Sequence, residues 1–162
     1  DPDINDIYIE DIAHHLSMLC RFSGAVRHFY SVAEHSWHVS YMVPPELALE
    51  GLLHDATEAY CQDLIRPLKH HLDAYQQIER INAVIIRTRF RLPHEESPIV
   101  KQADTDIIYN ERVELLPDHP RGFGWPGEAN PNVSLKCWCP TIAEEKFLAR
   151  YRQLTEGRDA TG

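Results

Sequence analysis

Apolar positions recur at helical spacing along most of this chain, and no run alternates convincingly enough to read as a strand. Ile12, Leu16 and Leu19 mark one face of a helix over Ile9–Leu19. Gly24 breaks the period, so Arg21–Tyr30 reads as a loop. Ser31 offers a hydroxyl that caps a second helix reaching about Met42. Pro44-Pro45 ends it, and Pro45 suits the first turn of a third helix. That helix carries Leu47, Leu49, Leu52 and Leu53 and is expected to reach Thr57. Asp63–His71, with Pro67 inside it, reads as a turn or short helix. Asp73–Phe90 reads as a long amphipathic helix with Tyr75, Ile78, Ile81 and Ile85 on its inward stripe. Leu92–Glu96 connects it to Ser97-Pro98, a helix start, and that helix runs to about Leu115.

Five prolines and three glycines fall within Pro117–Pro140, which predicts a long irregular loop, either a cover for a pocket or part of a subunit interface. Thr141-x-x-Glu144 reads as a capping box for a last helix, with Ile142, Leu148 and Tyr151 inward. Its end is expected to fray after Glu156, leaving 157–162 as a tail. No internal repeat is visible. The whole pattern predicts one all-α domain over 1–162, a bundle of five to seven helices.

Composition narrows the function. A chain of 162 residues buries roughly two-thirds of its unfolded surface, so it needs neither disulfides nor a structural metal to fold. Apolar runs such as Ala83–Ile86 fall far short of the ~20 residues that cross a bilayer, so no membrane partner is expected. The net charge of -9 argues against a duplex nucleic-acid partner, which needs a basic face. It leaves room for a small anion held by a few placed cations. Cys20, Cys61, Cys137 and Cys139 lack the spacing of a zinc knuckle, and a disulfide framework is not expected at this size. A reducing, cytoplasmic location follows as an expectation, with no signal peptide evident. The sequence opens on Asp1 rather than methionine, as a fragment or trimmed chain would.

The chemistry-bearing candidates are His35, the pair His54-Asp55, and Asp104, all on predicted helices. Imidazole and carboxylate together suit a divalent transition metal. An ionised aspartate at the end of a leucine-rich helix needs a cation or a donor. Singly, each has a plainer reading. His38 rivals His35 on the same helix, and Asp106 rivals Asp104. Glu58, at i+4 from His54 and i+3 from Asp55, shares their face if the helix continues, and is otherwise a solvated helix-end carboxylate. Asp63 reads as a possible helix N-cap. Arg21, Arg27, Lys69 and Lys101 are candidates to neutralise a small anion, or solvated side chains. Trp37, Trp125 and Trp138 read as core or loop anchors rather than base-stacking platforms, and Cys61 as a small core residue.

An ordered set of strings changes the weight of these residues. They are Tyr30-Ser31-Val32-Ala33-Glu34-His35-Ser36, then Leu52-Leu53-His54-Asp55-Ala56-Thr57-Glu58-Ala59-Tyr60, then Lys101-Gln102-Ala103-Asp104. Asp11-Ile12-Ala13, Cys20-Arg21-Phe22, Gln62-Asp63 and Pro67-Leu68-Lys69 accompany them. Together, from Ile4 to Leu154, they resemble the HD-domain metal-dependent phosphohydrolases, a family named for its His…His-Asp…Asp ligand set. The chain looks most like the short prophage-type members and, through them, the bacterial 5'-deoxynucleotidases.

The resemblance implies one divalent ion (Mn, Co, Ni, Zn, Fe or Mg) held by His35, His54, Asp55 and Asp104. It implies Glu58 as the main acid/base group, with Asp63 orienting the attacking water. Arg21 matches a phosphate-binding arginine. Phe22 stands where the family usually carries a sugar-packing tryptophan, and it lacks the indole N–H. Lys69 and Lys101 match basic positions shared by mono- and triphosphate-cleaving relatives, and Cys61 matches a small hydroxyl residue near the substrate. The activity implied is cleavage of a deoxynucleoside monophosphate to deoxynucleoside and phosphate. The alternatives are a dNTP triphosphohydrolase, a non-catalytic nucleotide-binding module and a dinucleotide phosphodiesterase. The last often uses extra histidines for a second metal, whereas His14-His15 and His70-His71 are adjacent pairs aimed at different faces. A homodimer is also implied.

Overall fold

The computed structural model describes residues 3–118 and 127–156. Trp125, the middle of the proline-rich loop and the tail 157–162 lie outside the described residues. Five long helices carry the fold: α1 (Ile9–Met18), α2 (Val32–Met42), α6 (Asp73–Arg89), α7 (Pro98–Leu115) and α8 (Pro140–Thr155). Between α2 and α6 lie the short α3 (Ala48–Leu53) and the single turns α4 (Glu58–Cys61) and α5 (Arg66–Lys69). Among the described residues there is no strand, only an isolated bridge between Cys20 and Ser31. The all-α reading therefore holds.

α2 is the central element, packed against α1, α3, α7 and α8. Its start is set locally: the Ser31 hydroxyl accepts from the Glu34 N–H at 3.1 Å, as the sequence predicted. Ile12, Ala13 and Leu16 of α1, Val32 and Ala33 of α2, Leu49, Leu52 and Leu53 of α3, and Ala143 and Phe147 of α8 form the main core. Burying each large aliphatic side chain there stabilises the fold by roughly 1.5–3 kcal/mol. A second cluster, with Val39, Val43, Val100, Ala103 and Ile107, ties α7 to α2. Gly51 lets α3 lie against the α2 backbone. A Cβ there would sit 3.2–3.3 Å from Val43, Ser40 and Val39.

Four local expectations are corrected. The third helix ends at Leu53, and residues 54–57 form a turn before α4. The backbone tightens there to i→i−3 bonds, with the Ala56 N–H on the Leu53 carbonyl at 3.1 Å and the Glu58 N–H on the Asp55 carbonyl at 3.0 Å. His54 and Asp55 thus lie on a turn rather than a helix. Gln62, at φ 71°, then closes α4.

The α6 stripe is inward only in part: Ile85 packs half-buried against the main core and Tyr75 is half-buried, but the middle of the stripe is not inward. Ile78 and Ile81 are 55% and 46% exposed, while Asn82, Ile86 and Arg87 are buried. Polar partners set this face. Arg87 pairs with buried Glu50 at 2.7 Å and donates to the carbonyls of Pro93 and Glu95, and Asn82 donates to the Cys61 sulfur.

At α8, Pro140 is the first helical residue, so Cys139 occupies the cap position and Thr141 and Glu144 form no capping box. Glu144 faces His14 instead, at 3.0 Å. Ala143 and Phe147 point inward with half-buried Leu148 and Tyr151, and Ile142 is exposed. Finally, α5 begins at Arg66, three residues past Asp63, too far for Asp63 to be its N-cap.

The segment between α1 and α2 is more ordered than a plain loop. Arg21–Gly24 forms a 3-10 turn with Phe22 and Ser23 in the left-handed region, at φ 56° and 51°. The Arg21 N–H bonds the Tyr30 carbonyl at 2.9 Å, and the Val32 N–H bonds the Leu19 carbonyl at 3.0 Å. These bonds fix where Arg21 leaves the backbone.

Candidate metal centre

α2, the turn after α3, and α7 each deliver side chains to one point. His35 of α2 is fully buried, and its Nε2 lies 3.2 Å from His54 Nε2. Asp104 Oδ1 of α7 lies 3.1 Å from His35 Nε2 and 3.8 Å from His54 Nε2. Asp55 Oδ2 lies 3.6 Å and 3.3 Å from the same two nitrogens. The donor atoms of His35, His54 and Asp104 all fall within 4.8 Å of one another. Bonds of about 2.0–2.2 Å to one cation put neighbouring donors about 3–3.5 Å apart, the range seen for most of these pairs.

The far side of each imidazole supports the same conclusion. His35 Nδ1 is 2.6 Å from Glu111 Oε1, and His54 Nδ1 is 2.9 Å from the Gly51 carbonyl. Both partners are acceptors, so each ring places its N–H on Nδ1 and turns an Nε2 lone pair inward. Two lone pairs and two carboxylates around one point require a cation or protons between them. The residues therefore fit a divalent metal: His35, His54 and Asp104 form a group that could hold it, and Asp55 lies beside them. Asp55 and Asp104 keep 20% of their side-chain surface exposed, so the centre opens to solvent on the carboxylate side.

The electrostatics show the same convergence. Burial works against protonation of His54, but Asp55 and Asp104 outweigh it and raise its pKa well above the usual value. Burial likewise opposes ionisation of Asp55, and the charge and hydrogen bond of His54 reverse this, lowering it to about 2. Asp104 is lowered further, burial again being overcome by hydrogen bonds to His35 and His54.

Glu58 opens α4 just beyond the turn. Its Oε2 is buried and has no hydrogen-bond partner. Burial, then the negative charges of Asp55 and Asp63, push its pKa well above the ordinary range. Asp63 is raised too, by burial first, with Arg21 pulling it down and Asp55 up. Both predicted acid/base carboxylates thus share one electrostatic neighbourhood with the ligands.

Arg21 reaches the same neighbourhood. Its Nη1 lies 3.5 Å from Asp55 Oδ2, and its Nε and Nη2 lie 3.2 Å from the two oxygens of Glu111. Burial alone would favour the neutral guanidine, but Glu111 and Asp55 hold the guanidinium charged. Phe22 lies beside it, with the Arg21 guanidinium carbon 5.5 Å from the ring centroid.

The other candidate cations differ. Lys69 is paired with Glu79 at 2.5 Å, at the edge of the Glu58–Cys61 neighbourhood. Lys101 is exposed, one turn before Asp104 on α7. Arg27 pairs with Asp118 at 3.2 Å. His38 packs parallel to Trp138 and near Glu34, and Asp106 accepts from Gln102, so neither rival joins the centre. Trp37 and Trp138 pack edge to face, as anchors. All four cysteines are free thiols.

Two residues escaped the sequence reading. Glu111 is fully buried behind His35 and Arg21. Its only signal was its place seven residues after Asp104, two turns along the same face. Glu96, read as mere connector, lies within electrostatic range. Burial raises its pKa, His54 lowers it, and Asp104 and Asp55 raise it again.

A separate open cleft of about 720 Å³ lies against α7 near Met42, Ile99, Gln102, Asp106 and Glu128, and includes none of His35, His54, Asp55 and Asp104. No described helix is long and apolar enough to cross a membrane.

Comparison with known proteins places the chain among relatives. It is 42% identical over 158 residues to uncharacterized protein YfdR of Escherichia coli, covering 95% of this chain and 88% of YfdR. The chain belongs to the YfdR family. Uncharacterized protein RCAP_rcc00048 of Rhodobacter capsulatus is 36% identical over 173 aligned positions, with the same coverage. No protein-family model matches the chain.

Proposed function

We propose that this protein is a metal-dependent phosphohydrolase of the HD type that converts 2'-deoxynucleoside 5'-monophosphates to deoxynucleoside and phosphate. One observation carries the reading. Two inward Nε2 atoms and two carboxylates converge on one point, with the unpartnered carboxyl oxygen of Glu58 in the same electrostatic neighbourhood. His35, His54, Asp55 and Asp104 would hold a divalent ion, which would supply Lewis acidity and lower the pKa of a water.

The chain's own residues do the rest. Glu58, with its pKa raised by burial and by Asp55 and Asp63, is suited to hold a proton taken from the attacking water. Asp63 orients that water. The water oxygen bonds to phosphorus as the bond from phosphorus to O5' breaks, and the proton held by Glu58 passes to the departing O5'. Arg21 stabilises the charge on the transferring phosphoryl group. Phe22 packs on the sugar.

The charge count favours a monophosphate over the alternative dNTP substrate with triphosphate release. Arg21 already faces Glu111 and Asp55, and Lys69 faces Glu79. A triphosphate, with about two more negative charges, would have to rely on Lys101, exposed on α7 outside these pairings.

The test is a product analysis. Metal-stripped protein is incubated with each dNMP and dNTP plus Mn, Co, Zn or Mg, and the products are separated by anion exchange. Phosphate and deoxynucleoside from monophosphates support the reading. Triphosphate release replaces it with the alternative, and metal and nucleotide binding without any product points to a non-catalytic module.

A further inference from the structure

Glu111 is a fully buried carboxylate that belongs to neither the ligand set nor the acid/base pair. It stands behind both halves of the centre at once. Oε1 is 2.6 Å from His35 Nδ1 and 3.2 Å from Arg21 Nε, and Oε2 is 3.2 Å from Arg21 Nη2. We propose that Glu111 is a positioning residue that sets His35 for the metal and Arg21 for the anion from a single carboxylate. This rests on the metal-dependent reading above and extends it to a residue that would touch neither the metal nor the anion.

The argument follows from what each donor would do without Glu111. His35 is completely buried, so its Nδ1–H would lose its acceptor with no water to replace it. The ring could then carry its proton on Nε2, which faces His54 and Asp104, and would stop offering a lone pair to a cation. Arg21 would lose its Nη2–H bond to Oε2 and the ion pair that brings Nε, which makes no hydrogen bond of its own, to Oε1, leaving only its 3.5 Å approach to Asp55. The guanidinium would then be drawn to the ligand carboxylates instead of facing an incoming anion. One substitution therefore weakens two different binding events. Outer partners of metal-bound histidines commonly change metal affinity about 10–100-fold.

The test uses the full chain, metal-stripped, as wild type and Glu111→Gln. Cobalt(II) affinity is read from its visible absorption, inorganic phosphate affinity of the cobalt-loaded protein by calorimetry, and folding by thermal melting. The expected result is cobalt binding weakened about 10–100-fold and phosphate binding weakened at least about tenfold, in a variant that still melts cooperatively. If both affinities stay within about twofold of wild type, or only one falls, Glu111 is a structural residue and the proposal is wrong, while the phosphohydrolase reading stands. Wild-type protein that binds no cobalt overturns both.

A measurement on wild type alone covers the case in which the variant does not fold. Nitrogen-15 histidine spectra of the zinc-loaded protein should show His35 protonated on Nδ1 and bound through Nε2. The opposite tautomer overturns the proposal.

Discussion

His35 Nε2 and His54 Nε2 face each other at 3.2 Å, and neither has a proton to give the other, because Glu111 and the Gly51 carbonyl hold both protons at Nδ1. Such a pair is stable only with a positive charge between or beside its members. Without metal that charge is a proton: burial opposes it on His54, but Asp55 and Asp104 overcome burial and raise the His54 pKa well above its ordinary value.

Metal and proton therefore compete. Adding Mn(II) or Zn(II) at about 100 times its Kd should stabilise the fold by about 2.7 kcal/mol, visible as a raised Tm. The sign with pH is fixed by His54. Its folded value lies above 6.5, so its protonation stabilises the metal-free fold below that pH, and the gain fades as pH rises through the folded value. The metal-induced shift should accordingly grow with rising pH over that window. His54→Ala and Asp104→Asn should abolish it. A shift that survives in both variants would place the metal elsewhere.

Glu58 predicts a trade between activity and stability. Glu58→Gln should lower kcat by about 10²–10⁴-fold while sparing metal affinity. Its carboxyl binds protons more tightly folded than unfolded, so it weakens the fold as pH rises above about 4.5. The variant should melt higher than wild type at pH 7, and the two should converge near pH 4. Melting curves across that range check the sign.

Glu34 should matter for stability and not for chemistry. Its Oε1 accepts from the N–H groups of Lys136 and Cys137 at 2.6 and 2.9 Å, and Oε2 from Trp138 at 2.7 Å. Glu34→Gln replaces one acceptor by a donor against a partly buried N–H. It should cost about 2–4 kcal/mol in urea denaturation, since hydrogen bonds to charged groups contribute about 1.5–3 kcal/mol each.

The face of α6 is open to direct test. Ile78→Lys and Ile81→Lys should each change stability by less than about 0.5 kcal/mol, as exposed substitutions do. Ile86→Ala should cost about 2–5 kcal/mol. Equal costs at all three positions would restore the inward stripe that the sequence suggests.

That stripe shows where sequence reasoning reached its limit. The helical period gave α6 its extent, but its facing depends on Arg87 meeting Glu50 from a different helix, which no local pattern encodes. The turn at 54–57 was equally hidden, because it contains neither glycine nor proline. Pro140 displaced the expected capping box by starting α8 earlier. His35, His54, Asp55 and Asp104 were legible because few residue types suit a metal and their order along the chain was distinctive. Glu111 was not, since a glutamate between Asn110 and Arg112 looks like any solvated helix position until the fold buries it.

The turn that carries His54 and Asp55 has a consequence for how this chain can vary. In a regular helix, neighbouring side chains diverge by about 100°, and only the tightened backbone after Leu53 lets both approach one point. Two corners of the centre are thus spaced by one peptide bond. A single residue inserted between His54 and Asp55 would shift one corner by a full residue rise and leave the other in place, and one inserted elsewhere between Leu53 and Glu58 would move the pair relative to Glu58 or to the rest of α3. Length polymorphism should therefore be absent from this stretch across the family, while the irregular run before α8 can gain or lose residues wherever Glu34 keeps its three N–H partners.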